Sequence, residues 1–226
     1  IYTLSLHDAL PIYQPAILFD GSFFIKKFQT AAKCGTKLPS PADITTVAEK
    51  IMKSSLLDGN FLFRSYFYDC APYQGKPMVH PVSGTPYNFS SSPVFSARKQ
   101  YLDAIKVLPS MALRSGTLSA NGWKVPSNKI ASVVKALKAG NGLTRGDLVP
   151  NIQQKQVDMK IGLDVAWLAS KKIVDKIVLF TGDSDFVPAM KFARKEGILV
   201  YIAKFNYSLK SQLLEHSDGI IEIDWP

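Results

Sequence analysis

Apolar residues are grouped along this chain in two ways, and each grouping predicts a different element. Short unbroken runs, Ala16-Ile17-Leu18-Phe19 and Ile177-Val178-Leu179-Phe180, end abruptly at Asp20-Gly21 and at Thr181-Gly182-Asp183-Ser184-Asp185. Runs of that length bounded by turn residues read as strands buried on both faces. Residues 61–68 (closing at Asp69), 198–203 and 220–223 read as further strands, and 111–118 as a strand interrupted at Arg114-Ser115-Gly116. Elsewhere the apolar positions fall three or four apart. Ile44, Val47, Ala48 and Ile51 follow Pro41, and Tyr101, Leu102, Ile105 and Leu108 lie within 96–108. Ile161, Val165 and Leu168 lie within 158–171. These segments predict helices, as do residues 130–137, 209–216 and 186–196, the last with Pro188 in its first turn and Gly197 just beyond its end. Between Gly21 and Pro41 the chain is Lys-rich and Pro-punctuated, and no element is read there. Strands alternating with helices across short loops imply an α/β fold, three layers deep, around a mostly parallel sheet.

A chain of 226 residues is long enough to bury a proper core. The organisation expected is a single domain over residues 13–226 with loop-rich insertions at 71–95 and about 119–150. The first of these holds five prolines and is too long for a simple connection. The opening IYTLSLHDALPI, residues 1–12, resembles a translated sequencing adapter and is left out of fold reasoning; the alternative is a native helix starting near Thr3 or Ser5. No apolar run approaches the roughly 20 residues of a membrane span. Cys34 and Cys70 form neither a metal-ligand spacing nor a disulfide framework, which points to a reducing cytoplasm. The net charge of +9 favours phosphate-bearing partners. Much of it falls within residues 121–160, where seven Lys or Arg face Asp147 and Asp158 alone; solvated helix faces are the alternative explanation.

In open parallel sheets ligands bind beyond the carboxyl ends of the strands. Asp20 follows one buried strand, and Asp183 and Asp185 follow another. If those strands are neighbours, their carboxylates converge, and Asp158 at a helix start can face the same edge. Asp164 lies about 240° further round that helix and need not point the same way. Clustered carboxylates repel unless a cation compensates, and an oxygen-only set suits Mg²⁺ or Mn²⁺ rather than zinc. Such an ion can activate water and neutralise charge on a phosphodiester. The competing view is that Asp20-Gly21 is a turn, and that Asp158, Ser184 and Asp185 are helix caps.

The segments AILFDGSFF, RSYFYDC, QKQVDMKIGLDVAWLA, IVLFTGDSDFVPAMKFARKEGILVYIA and LLEHSDGIIEI resemble, in order, the motifs of NYN domains of the LabA-like branch, within the PIN-like nuclease superfamily. The resemblance spans about residues 16–224 apart from much of the middle. It implies a PIN-like three-layer fold and, in active members, divalent-metal-dependent ribonuclease activity with RNA, or alternatively DNA, as substrate. Carried over, Asp20, Asp158, Asp183 and Asp185 are the metal-binding and catalytic carboxylates, and Asp164 is a further acidic position of the motif. Ser22, Thr181 and Ser184 are expected as hydrogen-bond donors at the site, and Lys155 and Lys160 as phosphate-binding candidates. Self-association is expected by the same analogy, although no exposed apolar stripe in the sequence carries it.

Two departures bear on activity. Many relatives have Asn where this chain has Phe23, and many read Lys-Gly-Val-Asp where it has Lys155-Gln156-Val157-Asp158. The non-enzymatic alternative is an inactive NYN module that binds RNA or a protein partner. A haloacid-dehalogenase-type phosphatase needs a second carboxylate two positions from the first, and Leu18 and Ser22 stand there instead. P-loop, dinucleotide and nucleophile-elbow motifs are absent. Trp123, Trp167 and Trp225 are expected to pack, with Trp123 in its basic surroundings the exception to watch as a base-stacking platform.

Overall fold

The computed structural model of the chain describes residues 14–225, so the adapter-like segment 1–12 lies outside them. In chain order the elements are β1 (Pro15–Asp20), α1 (Gly21–Ala31), α2 (Pro41–Met52), β2 (Arg64–Cys70), β3 (Met78–Val79), β4 (Pro86–Tyr87), α3 (Pro93–Lys106) and β5 (Met111–Lys124). They continue as α4 (Ile130–Lys138), β6 (Val149–Lys155), α5 (Val157–Ser170), β7 (Lys176–Phe180), α6 (Val187–Lys195), β8 (Leu199–Lys204), α7 (Ser211–Glu215) and β9 (Gly219–Glu222). They form two compact units. Residues 14–69, 104–114 and 158–225 make the first, and residues 70–103 and 115–157 the second.

The first unit is a parallel sheet in the order β2-β1-β7-β8-β9, with the opening residues of β5 beside β2. Its core follows from register. Phe19 on β1 lies opposite Phe67 on β2 and Phe180 on β7, so three aromatic side chains form one row on one face. Phe24 of α1 sits on that row, with ring centroids 5.2, 6.0 and 5.1 Å from Phe19, Phe67 and Phe180. Side chains alternate across a strand, so Tyr66 and Tyr68 take the other face. There Tyr68 Oη donates to Asp164 Oδ2 of α5 at 2.8 Å. Helices therefore cover both faces of a mostly parallel sheet, the three-layer α/β arrangement expected from the sequence.

Helix α1 corrects the reading of residues 21–31. Phe24, Ile25 and Phe28 are buried, while Lys26 is exposed. The apolar face is only one stripe wide, and the interleaved lysines disguise it. Two glycines are required here for steric reasons. A Cβ on Gly21 would come within 2.4 Å of the Tyr68 carbonyl, and one on Gly182 within 2.4 Å of the Phe23 ring. The Asp-Gly step is thus a strand-to-helix junction rather than a free turn. β2 begins at Arg64, later than expected, and Phe61 before it is 74% exposed.

The second unit holds the β3–β4 hairpin and an antiparallel β5–β6 ribbon that shifts register between Ala120 and Trp123. The loop-rich insertion was expected to end near residue 150 and no element was read over 151–155, yet Val149–Lys155 form β6. Its sequence VPNIQQK has no apolar alternation, and pairing with β5 holds it as a strand. β5 also runs unbroken through Arg114-Ser115-Gly116, because Gly116 lets the ribbon close. A Cβ there would meet the Lys155 carbonyl at 2.7 Å and Val157 at 2.6 Å. Trp123 is used in packing: Nε1 donates to the Val79 carbonyl at 3.0 Å, and the ring lies 4.4 Å from His80.

Candidate active site

Strand β1 has β2 on one side and β7 on the other, so the connections leave it in opposite directions. This is the switch point at which open α/β sheets bind ligands. Asp20 ends β1 and caps α1, with Oδ1 accepting from the Phe23 N–H at 3.2 Å. β7 ends next to it and delivers Thr181, whose hydroxyl donates to Asp20 Oδ2 at 3.5 Å and accepts from the Asp183 N–H at 3.2 Å. Asp20 and the Asp183 backbone therefore meet through one buried hydroxyl, well inside the ~10 Å that one or two bridging ions span. Asp183 in turn caps the short turn after β7, its Oδ1 accepting from the Asp185 N–H at 3.1 Å.

The electrostatics report the same grouping. Asp20 is pushed up to about 6, first by burial, then by the charges of Asp158 and Asp183, against the opposing Phe23 and Thr181 hydrogen bonds. Asp158 in the first turn of α5 is also raised, by desolvation and then by Asp183 and Asp185. Like charges close enough to raise one another store repulsion that a cation would relieve. Among the described residues, however, no group of three or more His, Cys, Asp or Glu side chains is drawn tightly enough to hold a metal ion as it stands. In kind these donors fit a hard divalent ion; in position they are a loose group rather than a closed chelate.

Asp164 stands apart from this group. Its carboxylate takes Arg114 Nε at 3.0 Å and the Tyr68 hydroxyl at 2.8 Å, so it is committed to an ion pair on the sheet face. Ser22 is exposed at the start of α1, and Ser184 Oγ accepts from Lys210 Nζ at 3.2 Å. Lys160 lies in the first unit on α5, whereas Lys155 is an exposed residue of the second unit.

Sequence reasoning overlooked Lys210 and Tyr207, which follow β8. Lys210 Nζ is 3.8 Å from Asp183 Oδ1. Tyr207 packs edge-on against Phe23 at 5.6 Å, and its phenol is raised by burial and then by the charge of Asp20. The rule that selected Asp20 and Asp183, residues just beyond a parallel strand, applied equally to the segment after β8.

The sequence pattern of the NYN domain matches residues 88–224. The chain belongs to the NYN domain family. NYN domains are PIN-like and of nuclease type, and the match includes Asp158, Asp183 and Asp185 while Asp20 lies ahead of it. Asp20 joins the NYN residues through the β1–β7 pairing. In fold, the NYN chain is similar to a protein of unknown function from Vibrio parahaemolyticus, at 15% identity and a TM-score of 0.50 over 98% of this chain and 97% of that one. No curated protein matches the chain. Among the described residues no helix is long and apolar enough to cross a membrane.

The two departures from the NYN pattern have structural counterparts. Phe23 fills the space over Gly182 where an amide would otherwise stand. Gln156, at the usual glycine position, holds a left-handed φ of 72°. The turn before Asp158 is thus of the kind glycine favours, held here by a residue with a Cβ.

Proposed function

We propose that this protein is a divalent-metal-dependent nuclease of the LabA-like branch, hydrolysing RNA phosphodiester bonds at the carboxyl edge of the first unit's sheet. The observation that carries the reading is the gathering of Asp20, Asp158 and Asp183 at the switch point of a NYN fold. There Thr181 links Asp20 to the Asp183 backbone, and the charge of Asp183 acts on both other carboxylates. A protein with a net charge of +9 has gathered acid at one point, with Lys210 as its basic neighbour, which suits a cation held for use on a polyanion. Asp20, Asp158 and Asp183 would hold Mg²⁺ or Mn²⁺, with Asp185 beside them. The ion, when bound, supplies Lewis acidity and an activated water. Thr181 fixes the spacing of Asp20 and Asp183, while Ser22 and Ser184 offer hydroxyls to phosphate. Lys160 supplies positive charge to the nucleic acid at this unit, and Lys155 would do so from the second unit by itself. Cys34 and Cys70 are both free thiols, which accords with a reducing cytoplasm.

A second reading, a NYN module that binds without cutting, draws on the open arrangement of the carboxylates and on Phe23. The two separate in one experiment. Purified protein is incubated with labelled single-stranded and structured RNA, and with DNA, in Mn²⁺ or Mg²⁺, beside Asp183→Asn. Metal-dependent cleavage of RNA that the variant loses supports the nuclease. Binding without cleavage supports the module, cleavage that persists in the variant places the activity elsewhere, and preference for DNA overturns the substrate.

A further inference from the structure

A cavity of about 370 Å³ opens in the first unit beside the carboxylate edge. Helix α1 contributes Lys27, the segment after β8 contributes Phe205, Asn206 and Tyr207, and the residues after β9 contribute Asp224 and Trp225. Its size suits a single small planar group with a sugar attached. Three aromatic side chains line it, and two of them, Trp225 and Tyr207, are held in place by their neighbours. Trp225 lies edge-on to Phe28 at 4.8 Å, with Lys50 Nζ 5.5 Å from its ring centroid and bonded to the Asp224 carbonyl at 2.6 Å. Tyr207 lies edge-on to Phe23, and Lys27 Nζ is 4.2 Å from its ring centroid. Walls fixed in this way lose little freedom when a ligand enters.

The polar groups indicate which part of a nucleotide would enter. Among the described residues the buried Tyr207 hydroxyl finds no hydrogen-bond partner. Asn206 and Asp224 are exposed and add an amide and a carboxylate. A carboxylate repels phosphate but accepts hydrogen bonds from base amino and imino groups. Tyr207 also joins the cavity to the site, since the Phe23 ring it touches belongs to the helix capped by Asp20.

We propose that this cavity receives one unstacked nucleobase of a single-stranded nucleic acid whose backbone passes the carboxylate edge. The inference rests on the nuclease reading for its substrate class and adds a preference for single strands. A base inside a duplex cannot reach a side cavity, whereas a splayed base can stack on aromatic rings.

Binding is measured in chelator, so that cleavage does not enter, by fluorescence anisotropy of a labelled single-stranded RNA of roughly ten nucleotides. A series carrying one abasic position and a matching duplex are measured alongside it. Trp225→Leu should weaken binding of the intact strand roughly tenfold. An abasic substitution at one position should weaken binding to the unaltered protein by a similar factor, and should add little in the variant. Thermal melting verifies the fold of the variant, and Tyr207→Leu serves if Trp225→Leu does not fold. Equal affinity of variant and unaltered protein, additive losses, or equal losses for duplex and single strand would overturn the cavity assignment. Parallel cleavage assays in Mn²⁺ separate the two claims. Cleavage indifferent to abasic sites removes the cavity and leaves the nuclease, while base-dependent binding without cleavage does the reverse.

Discussion

Helix α5 carries two aspartates that live under opposite electrostatics. Asp164 is paired with Arg114 and hydrogen-bonded by Tyr68, so its charge is compensated within the protein. Asp158, nearer the start of the same helix, is raised by desolvation and then by the charges of Asp183 and Asp185. One carboxylate ties α5 to the sheet; the other adds to a repulsion that Lys210, near Asp183, offsets only in part. The contrast teaches that an acidic motif position does not define a role. Its partners do, and they are set by which end of the sheet it reaches.

The largest effect expected is on cleavage. Asp183→Asn should lower metal-dependent RNA cleavage by more than about a hundredfold, the scale of a lost metal ligand, whereas Asp164→Asn should lower it by less than about tenfold. Equal losses measured on initial rates would erase the distinction between the two carboxylates.

Next comes a pH-dependent stability effect. Asp20 is pushed up to about 6 from an ordinary 3.8, so the folded state favours its neutral form. The stabilisation from that proton is fully present below about pH 3.8 and is lost as pH rises through about 6. Asp20→Asn keeps a good helix cap and mimics the neutral acid. In chelator it should stabilise the protein by up to about 3 kcal/mol at pH 8 and by little at pH 4, read from urea midpoints. A gain of the same size at both pH values would show that charge is not the cause. Divalent cation, if it binds as proposed, should shrink the gain at pH 8.

At Asp164 the sign reverses. Asp164→Ala strips the Tyr68 hydroxyl of its acceptor and should cost about 1–2 kcal/mol, independent of divalent ions. A loss that appears only in the presence of Mn²⁺ would move Asp164 into the metal group. The smallest effect concerns the turn into α5. Gln156→Gly relieves a left-handed φ and should stabilise by about 0.5–1 kcal/mol after glycine's entropy is counted. Destabilisation in the melting curve would mean that the Gln156 side chain has a role of its own.

The strands that hold the site were legible because they are buried on both faces and therefore appear as unbroken apolar runs. Pro15–Asp20 and Lys176–Phe180 match those runs closely. Helix α1 was not legible, since its narrow buried stripe of Phe24, Ile25 and Phe28 is interleaved with lysines. β6 was hidden for a different reason: nothing in VPNIQQK alternates, and its conformation comes from the ladder it makes with β5. At the site, Asp20 and Asp183 were named from their positions after strands, and Thr181 through the resemblance to NYN domains. Tyr207 and Lys210 come from a loop without periodicity, where only their position after β8 could have marked them.

Local pattern alone settled most strands and helices of the first unit, α1 excepted, and that acid would end two of those strands. Burial and periodicity act over a few neighbours, so a linear string records them. Only the tertiary structure made β1 and β7 adjacent, bringing Asp20 within reach of Thr181, and assigned Asp164 to Arg114 rather than to the acidic group. Charge interactions depend on distance through space, and residues 161 positions apart acquire a distance only when the sheet is assembled.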